Sequence, residues 1–217
     1  LKKAPYRMEC FDISHMQGSE TVASMVVFEG GVAKKSDYRR FKIRSAEGKP
    51  DDFKSMREVT TRRYGAPDAE MPDLIVIDGG KGQLSSALEI IRGAGHLLVP
   101  VVGLAKREEE VFREGESEPV ILPRDSQALF LIQRIRDEAH RFAITYHRRL
   151  RGKRNMVSVL DHIEGIGPKR RQLLYEHYGE LEKIKEASVE EMAGLDGMNR
   201  PAAEAVYNFF LAQRNLR

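Results

Sequence analysis

The segment Leu74–Ile77 is a short, wholly apolar run that stops abruptly at residues 78–80, Asp-Gly-Gly. Runs of this kind are typical of central parallel strands that are covered on both faces. From 82 to 91 the apolar residues recur with helical spacing, and Gly93 follows as a helix end. Because a parallel neighbour strand needs a long crossover connection, usually a helix, this segment predicts an α/β domain.

The rest of residues 1–151 extends this pattern in the order β-β-β-α-β-α-β-α. Strands are predicted at 6–14, 21–28, 33–44, 74–77 and 99–104, with a hairpin turn at Gly30 and Gly31. Helices are predicted at 53–64, 82–91 and 126–151, and the charged stretch 107–123 is predicted to be a loop or a small hairpin. An antiparallel meander followed by right-handed parallel crossovers is the order found in RNase H-like nucleases.

Composition excludes several classes of protein. The chain is 41% hydrophobic and 32% charged, and it has no apolar run near the length of about 18 residues that a membrane span needs. No membrane partner is therefore expected. Its single cysteine, Cys10, excludes internal disulfides and Cys-rich zinc sites, which is typical of a reducing cytosol. A start at Leu1, without an initiator Met or a signal peptide, predicts a piece of a longer protein.

The formal net charge of +3 is too small to indicate nucleic-acid binding by itself, so its distribution matters. Residues 157–217 carry 8 basic and 10 acidic side chains, so the basic excess lies earlier in the chain. Much of it falls between Arg134 and Arg154, a stretch that includes Arg141. Two interpretations stay open for this stretch: a solvated helix face, or a surface that contacts phosphates.

Residues after about 157 are predicted to be helical, and they contain two glycine hairpins. The first, Gly165-Ile166-Gly167, exposes successive backbone N–H groups at the start of a helix, where a phosphate oxygen is favoured. Lys169 and Arg170 add positive charge beside it. A second copy, Gly197-Met198-Asn199, has lost one glycine and is expected to bind less strongly. Two such loops about thirty residues apart are typical of tandem helix-hairpin-helix domains, which hold DNA without reading its bases.

These patterns predict two domains. Residues 1–154 form an RNase H-like mixed sheet with flanking helices, and residues 155–217 form a small all-α tandem helix-hairpin-helix domain. The segment 152–155, Gly-Lys-Arg-Asn, is the expected linker.

Two acids are candidate metal ligands in the first domain. Asp12 lies inside an apolar strand, where an unpaired carboxylate is costly and needs either a salt bridge or a metal. Asp78 ends the central strand, where an RNase H-like sheet places its first and fourth strands side by side. Two converging carboxylates require a cation, and Mg²⁺ or Mn²⁺ suits oxygen ligands. The chemistry that follows is phosphodiester hydrolysis.

A third ligand is expected from the last long helix, and helical spacing alone leaves His140, His147 and Asp137 as alternatives. Lys81 and Lys106, each just beyond a strand end, are candidate contacts to substrate phosphate or ordinary surface lysines. The segment 79–83, Gly-Gly-Lys-Gly-Gln, lacks the spacing of a nucleotide-binding loop. Asp51 and Asp52 are expected to cap a helix.

Five motifs together carry a family resemblance. They are FDISH at 11–15, IDGGKGQL at 77–84, GLAKR at 103–107, RDEAHRFAITYHR at 136–148 and IEGIGPKRR at 163–171. With these motifs the chain resembles the C-terminal half of the UvrC family, the nuclease subunits of bacterial nucleotide excision repair, over essentially its whole length.

The resemblance implies an endonuclease that cuts damaged double-stranded DNA on the 5′ side of a lesion, in the bacterial cytoplasm and at the nucleoid during repair. It implies an Asp-Asp-His triad at Asp12, Asp78 and His140, with His147 in a supporting role. It also implies UvrB as a partner, recruited through a region N-terminal to this piece. Because imidazole is a softer ligand than carboxylate, Mn²⁺ is expected to serve at least as well as Mg²⁺.

Two other functions compete with this one. An inactive scaffold that only presents DNA would be expected to have lost Asp12 or Asp78, and both are present. A junction resolvase or Argonaute-type nuclease shares the fold but does not normally carry the tandem hairpin tail.

Overall fold

The computed structural model describes residues 1, 3–15, 21–45, 51–105 and 110–214, without the side chains of 149–151, 153 and 154. The chain divides into two compact units, Leu1–Thr145 and Tyr146–Arg217. Among the described residues, no helix has both the length and the apolar character that crossing a membrane requires.

The first unit is built on one mixed seven-stranded sheet. Its strands are β1 Arg7–His15, β2 Thr21–Glu29, β3 Val32–Ala33, β4 Arg39–Lys42, β5 Leu74–Ile77, β6 Val101–Ala105 and β7 Glu110–Arg113. The order is β3-β2-β1-β5-β6-β7, with β4 also paired to β2. β1 runs antiparallel to β2 and parallel to β5, and β5 runs parallel to β6. The predicted RNase H-like mixed sheet is confirmed, and the predicted first and fourth strands, here β1 and β5, are neighbours.

The predicted third strand, 33–44, is divided in two. A 3₁₀ turn at Lys35–Asp37 separates β3 from β4. The turn brings the Asp37 carboxylate to Arg7, whose Nη1 donates to Asp37 Oδ2 and to Glu29 Oε1 at 2.7 Å each. This long-range ion pair stabilises the turn that interrupts the predicted strand. The charged stretch 107–123 contains a small hairpin, since β7 pairs with β6 and Val111 bridges Val120.

Three helices cover the sheet: α1 Asp52–Tyr64, α2 Lys81–Gly93 and the first part of α3 Gln127–Leu160. One core cluster lies on the face covered by α1 and α2 and includes Phe11, Met25, Met56, Ile77 and Leu84. The other lies on the face covered by α3 and includes Met8, Cys10, Val76, Ile135 and Ala139. Cys10 is fully buried, as expected of a residue that fills the core.

The predicted end of the last long helix at Arg151 is wrong, because α3 continues without interruption to Leu160. A glycine such as Gly152 disfavours helix by only about 1 kcal/mol relative to alanine. Met156 and Leu160 are fully buried in the core of the second unit, and this packing favours continued helix. The domain boundary predicted at 154/155 therefore falls inside a helix rather than in a linker.

The second unit is all-helical, as predicted. After α3 it contains α4 Pro168–Tyr178, α5 Leu181–Glu186, α6 Val189–Ala193 and α7 Arg200–Arg214. Their apolar faces meet in one core that includes Ile163, Ile166, Leu174, Met192 and Val206. The two glycine hairpins lie immediately before α4 and α7.

Candidate functional site

Asp12 and Asp78 lie side by side at one edge of the sheet. The parallel register of β1 and β5 ends with Phe11 opposite Ile77, and each acid is the next residue along its strand. The Asp78 N–H donates to the Phe11 carbonyl at 2.8 Å, which fixes the two strand ends together. Both acids are buried, with 2% and 4% of their surface exposed. Neighbouring strands thus bring two buried carboxylates into one place.

His140 of α3 completes a group of three potential metal ligands. One ligand atom from each of Asp12, Asp78 and His140 lies within 4.8 Å of the others. His140 Nδ1 is 3.6 Å from Asp12 Oδ2, and the imidazole side chain is 57% exposed. The Ser14 hydroxyl donates to the same Asp12 oxygen at 3.3 Å. Asp12 and Asp78 thus form the buried, acidic part of the group, and His140 forms its solvent-exposed part.

The other two candidates for the third position are not in this group. Asp137 is 70% exposed and pairs with the neighbouring Arg136 at 3.0 Å. His147 lies two helical turns farther along α3, in the second compact unit. Of the three alternatives that helical spacing left open, the structure brings His140 alone to the two buried acids.

The donor set fits a hard divalent cation. Two carboxylates and one imidazole are ligands that Mg²⁺ and Mn²⁺ accept, and an exposed side leaves room for water and substrate oxygens. The two carboxylates affect a neighbouring side chain. The pKa of the buried Cys10 thiol is raised mainly by burial and further by the carboxylates of Asp78 and Asp12. A cation bound among these side chains would offset that negative potential.

A second buried acid on β1 shows the alternative to metal binding. Glu9 is fully buried and was not singled out in the sequence. Arg63 donates to its carboxylate at 2.8 and 3.0 Å, and the Tyr64 hydroxyl donates at 2.5 Å. Arg7 adds a third contact at 3.1 Å. Glu9 is thus compensated by fixed protein cations, the salt-bridge solution that the sequence also allowed for Asp12.

Gly79, directly after Asp78, and Gly103 of β6 lie where the chain packs closely. A Cβ at Gly79 would lie 1.5 Å from Oε1 of Gln83, and a Cβ at Gly103 would lie 2.8 Å from the Gly79 carbonyl oxygen. The turn that carries Asp78 is therefore pressed between α2 and β6. This packing accounts for Gly79 without a nucleotide, consistent with the motif's lack of nucleotide-loop spacing.

Asp51 and Asp52 have different roles. Asp51 caps α1 as predicted, because its side chain accepts from the Lys54 N–H at 3.0 Å. Asp52 instead accepts from His15 Nε2 at 2.5 Å and from Gln83 Nε2 at 2.7 Å. These contacts join the end of β1 to α1 and α2. Sequence analysis missed this network, since its members are far apart in the chain and show no common spacing.

The predicted phosphate-binding side chains of the first unit make intramolecular contacts. The Lys81 amine donates to the Ser117 carbonyl and lies 5.2 Å from the centre of the Phe112 ring. Arg141 donates twice to the Glu138 carboxylate, at 2.6 and 2.7 Å. Lys106 lies outside the described residues. The contacts of Lys81 and Arg141 tether both groups within the unit.

The first hairpin has the features of an anion-binding turn. Gly165 has φ +80°, a conformation that glycine adopts at little cost. Gly167 is the N-cap of α4 and brings no capping side chain, and Pro168 occupies the first turn. Ile166 is buried and anchors the loop, whereas Lys169 is exposed. The first-turn N–H groups of α4 therefore have no side-chain cap to compete with a ligand.

The second hairpin differs at its last residue. Gly197 has φ +96°, like its counterpart Gly165. Asn199, however, precedes α7, and its side-chain Oδ1 accepts from the Ala202 N–H at 3.1 Å. A side chain of the protein thus occupies one of the N–H groups that a phosphate would use. The Asn199 cap is a specific physical reason to expect weaker phosphate binding at this hairpin.

Arg170 connects the two hairpins. Its Nη1 donates to the Gly165 carbonyl at 2.7 Å, and its Nε lies 3.5 Å from the Gly197 carbonyl. The guanidinium is half-buried between these loops. Arg170 was expected to contact phosphate, and the contacts it makes hold one hairpin against the other.

Two family models match successive parts of the chain. Residues 1–144 match the family model of the UvrC RNase H endonuclease domain, and residues 157–210 match that of the SAM-like helix-hairpin-helix tandem. The crystal structure of human endonuclease V is 16% identical, with a TM-score of 0.33, over 48% of this chain and 46% of that one. So low a score supports no functional inference.

Curated relatives are much more similar in sequence. The UvrABC system protein C of Desulforudis audaxviator is 46% identical over 97% of this chain and 37% of that protein. That of Chlorobaculum tepidum is 49% identical over 98% of this chain and 34% of that protein. The chain spans about a third of the length of the curated relatives it matches. With its endonuclease-domain and helix-hairpin-helix matches in sequence order, the chain belongs to the UvrC family.

Proposed function

We propose that this chain is the metal-dependent endonuclease part of a bacterial nucleotide-excision-repair protein, cutting one DNA strand on the 5′ side of a lesion. The observation that carries this proposal is the convergence of Asp12, Asp78 and His140 at one edge of the sheet. Two buried carboxylates beside an exposed imidazole form a site for a cation rather than a packed core.

Asp12, Asp78 and His140 would hold the cation, which is Mg²⁺ or Mn²⁺. When bound, such an ion activates a water for attack on a phosphodiester and stabilises charge on the leaving oxygen. The imidazole nitrogen is the softer donor of the three and makes Mn²⁺ at least as good an occupant as Mg²⁺.

The protein's own side chains prepare this site in two ways. The Ser14 hydroxyl donates to Asp12 and so orients its carboxylate before any ligand arrives. The close packing of Gly79 against Gln83, and of Gly103 against the Gly79 carbonyl, fixes the turn that carries Asp78. A rigid arrangement of this kind keeps the donor atoms in place.

The two glycine hairpins bind the DNA backbone. Backbone N–H groups after Gly165, Ile166 and Gly167, with Lys169 beside them, suit a phosphate oxygen. Gly197 and Asn199 form the second, weaker contact. Phosphates are the same in every sequence, so this grip suits an enzyme that must act wherever damage occurs.

The family supplies the context for the activity. The relatives are named as protein C of the UvrABC system, and we propose that this chain acts within such a system on damaged double-stranded DNA. UvrB is the proposed partner, engaged through a region outside this chain. The proposed location is the bacterial cytoplasm, at the nucleoid during repair.

The test is an incision assay with the full-length protein, UvrB and a duplex that carries one lesion, in Mg²⁺ and in Mn²⁺. Asp12→Asn and Asp78→Asn keep side-chain size but remove charge, and each is expected to lower the rate of 5′ cutting at least about a thousandfold. His140→Ala is expected to lower it as well.

Asp137→Asn is the matched control, because Asp137 lies on the same helix as His140 but outside the ligand group. It is expected to cut at the unaltered rate. Retained 5′ cutting by either of the other two Asp variants would overturn the proposal.

A further inference from the structure

Strand β4 carries a row of basic side chains at the margin of the sheet. Its sequence is Arg-Arg-Phe-Lys, and Arg39, Arg40 and Lys42 are all exposed. Because side chains alternate along a strand, Arg40 and Lys42 point to one face and Arg39 to the other. The two faces of β4 can therefore be compared within one short strand.

The strand register places Arg40 and Lys42 in line with the acidic site. Ser24 of β2 is opposite Asp12 on one side and opposite Arg40 on the other. Directly opposite residues of an antiparallel pair share one face. Arg40 is thus on the same face as Asp12, two strands away. The next row repeats this arrangement, with Val22 between Lys42 and Ser14.

A contact with α3 confirms which face this is. The Arg40 guanidinium lies 3.7 Å from the centre of the Phe142 ring, and Phe142 is two residues beyond His140 on α3. Phe142 in turn packs edge-on against Tyr38, with ring centres 5.1 Å apart. A cation placed over an aromatic face is attracted to it and held in position. Arg40 is therefore held on the α3 side of the sheet, the face that also carries Asp12.

The spacing suits a nucleic-acid strand. Adjacent strands are about 4.8 Å apart, so the Arg40 backbone is about 10 Å from that of Asp12. The phosphates of one strand of a duplex also wind around the helix axis, so neighbouring phosphates are farther apart than the axial rise of about 3.4 Å, and this distance corresponds to about one to two nucleotides. A DNA strand whose phosphate reaches Asp12 and Asp78 can therefore pass over Arg40 and Lys42.

We propose that Arg40 and Lys42 form a subsite for the sugar-phosphate backbone of the strand that is cut, about one to two nucleotides from the attacked phosphate. The proposal rests on the proposed nuclease function, because it takes the acidic group as the place of cutting. The subsite supplies position without base specificity, since phosphates carry no sequence information.

The same strand offers a matched control in Arg39. Its register partner Met25 belongs to the core on the α1 and α2 side of the sheet. The Arg39 guanidinium donates to the carbonyls of Ser36 and Tyr38, at 3.0 and 2.9 Å. Arg39→Gln removes the same charge from the same strand but on the opposite face.

The first measurement is the affinity of the 217-residue chain for a labelled duplex as salt is varied, without divalent metal. Log affinity falls linearly with log salt, and Arg40→Gln and Lys42→Gln are each expected to make this negative slope shallower by about 0.9, the value for one lost phosphate contact. Arg39→Gln is expected to leave the slope unchanged. Equal slopes for all three variants would overturn the proposal.

The second measurement locates the subsite. In the full-length protein's incision assay, a neutral methylphosphonate is placed in turn at each position near the cut. At about one to two nucleotides from it, wild-type cutting is expected to fall about as far as in Arg40→Gln, with no further loss when both changes are combined. Independent, multiplying losses would overturn the proposal. Lys42→Gln repeats the test away from the Phe142 contact, in case Arg40→Gln shifts α3.

Calorimetric titration of Mn²⁺ into the same variants separates this proposal from the nuclease assignment. Arg40→Gln and Lys42→Gln are expected to bind Mn²⁺ as wild type does. Failure of the wild-type chain to bind Mn²⁺ would count against the metal site. The salt slopes would still decide whether Arg40 and Lys42 contact DNA.

Discussion

The two hairpins of the second unit have the same backbone turn but different helix starts. Gly165 and Gly197 share a positive φ, and each loop leads directly into a helix. At the first, Gly167 brings no side chain to the start of α4, whereas at the second Asn199 caps α7 with its own amide oxygen. The comparison teaches that one residue decides whether the helix N-terminus is available to a phosphate or already occupied.

The largest effect on DNA affinity is expected from Gly165→Ala. An L-residue at φ +80° is strained by roughly 1–2 kcal/mol, so the loop would shift and carry its N–H groups out of position. We expect duplex affinity, measured by fluorescence anisotropy without metal, to fall about tenfold. Gly197→Ala carries the same strain and is expected to cost less affinity. Equal losses in both variants would contradict the inequality of the hairpins.

An asparagine at the cap position of the first hairpin should give it the lower DNA affinity expected of the second. Gly167 has φ −75° and ψ 176°, which any residue can adopt, and a Cβ there meets nothing within 4 Å. Gly167→Asn is therefore expected to cap α4, to stabilise the unit by a few tenths of a kcal/mol and to lower duplex affinity about threefold. Urea unfolding and anisotropy measure the two quantities. Unchanged affinity with raised stability would show that the start of α4 does not bind phosphate.

Asn199→Gly is the reciprocal change and should have a smaller effect. Losing the cap is expected to cost the unit a few tenths of a kcal/mol, while freeing the first N–H groups of α7. We expect duplex affinity to rise by about twofold in the same anisotropy assay. A fall in affinity would mean that the Asn199 side chain itself contacts the DNA.

The smallest effect on bulk affinity is expected from Arg170→Lys, which keeps the charge. A lysine amine cannot replace a guanidinium that reaches the carbonyls of both Gly165 and Gly197. We expect the backbone amide NMR signals of both loops to shift in the free protein, with at most a twofold loss of affinity. If Arg170 bound phosphate alone, the signals of the Gly197 loop would stay in place.

Much of the first unit could be predicted because its signals are local. An apolar run ending at Asp78, and an acid within an apolar strand at Asp12, were enough to predict that neighbouring strands carry two candidate ligands. The third ligand was not determined by spacing, since His140, His147 and Asp137 share a helix. Tertiary packing, which periodicity does not encode, brings His140 to the acids.

The features that sequence analysis missed depend on distant contacts. Gly152 was expected to follow the end of the last long helix of the first domain. The helix instead continues to Leu160, because Met156 and Leu160 are buried in the core of the second unit. The third strand breaks where Asp37 reaches Arg7, thirty residues away. Arg40 is one arginine among many in the sequence, and strand register and the Phe142 contact show that it shares a face with Asp12. Local propensity carries no information about such pairings.

The proposed nuclease function requires a divalent cation among Asp12, Asp78 and His140. The most direct test is a crystal of this chain soaked in Mn²⁺, with anomalous diffraction recorded above and below the manganese absorption edge. At least one manganese peak is expected within bonding distance of the Asp12 and Asp78 carboxylates, and this peak is expected to be lost in Asp78→Asn crystals. No peak between these side chains, at an Mn²⁺ concentration that supports cutting, would contradict it.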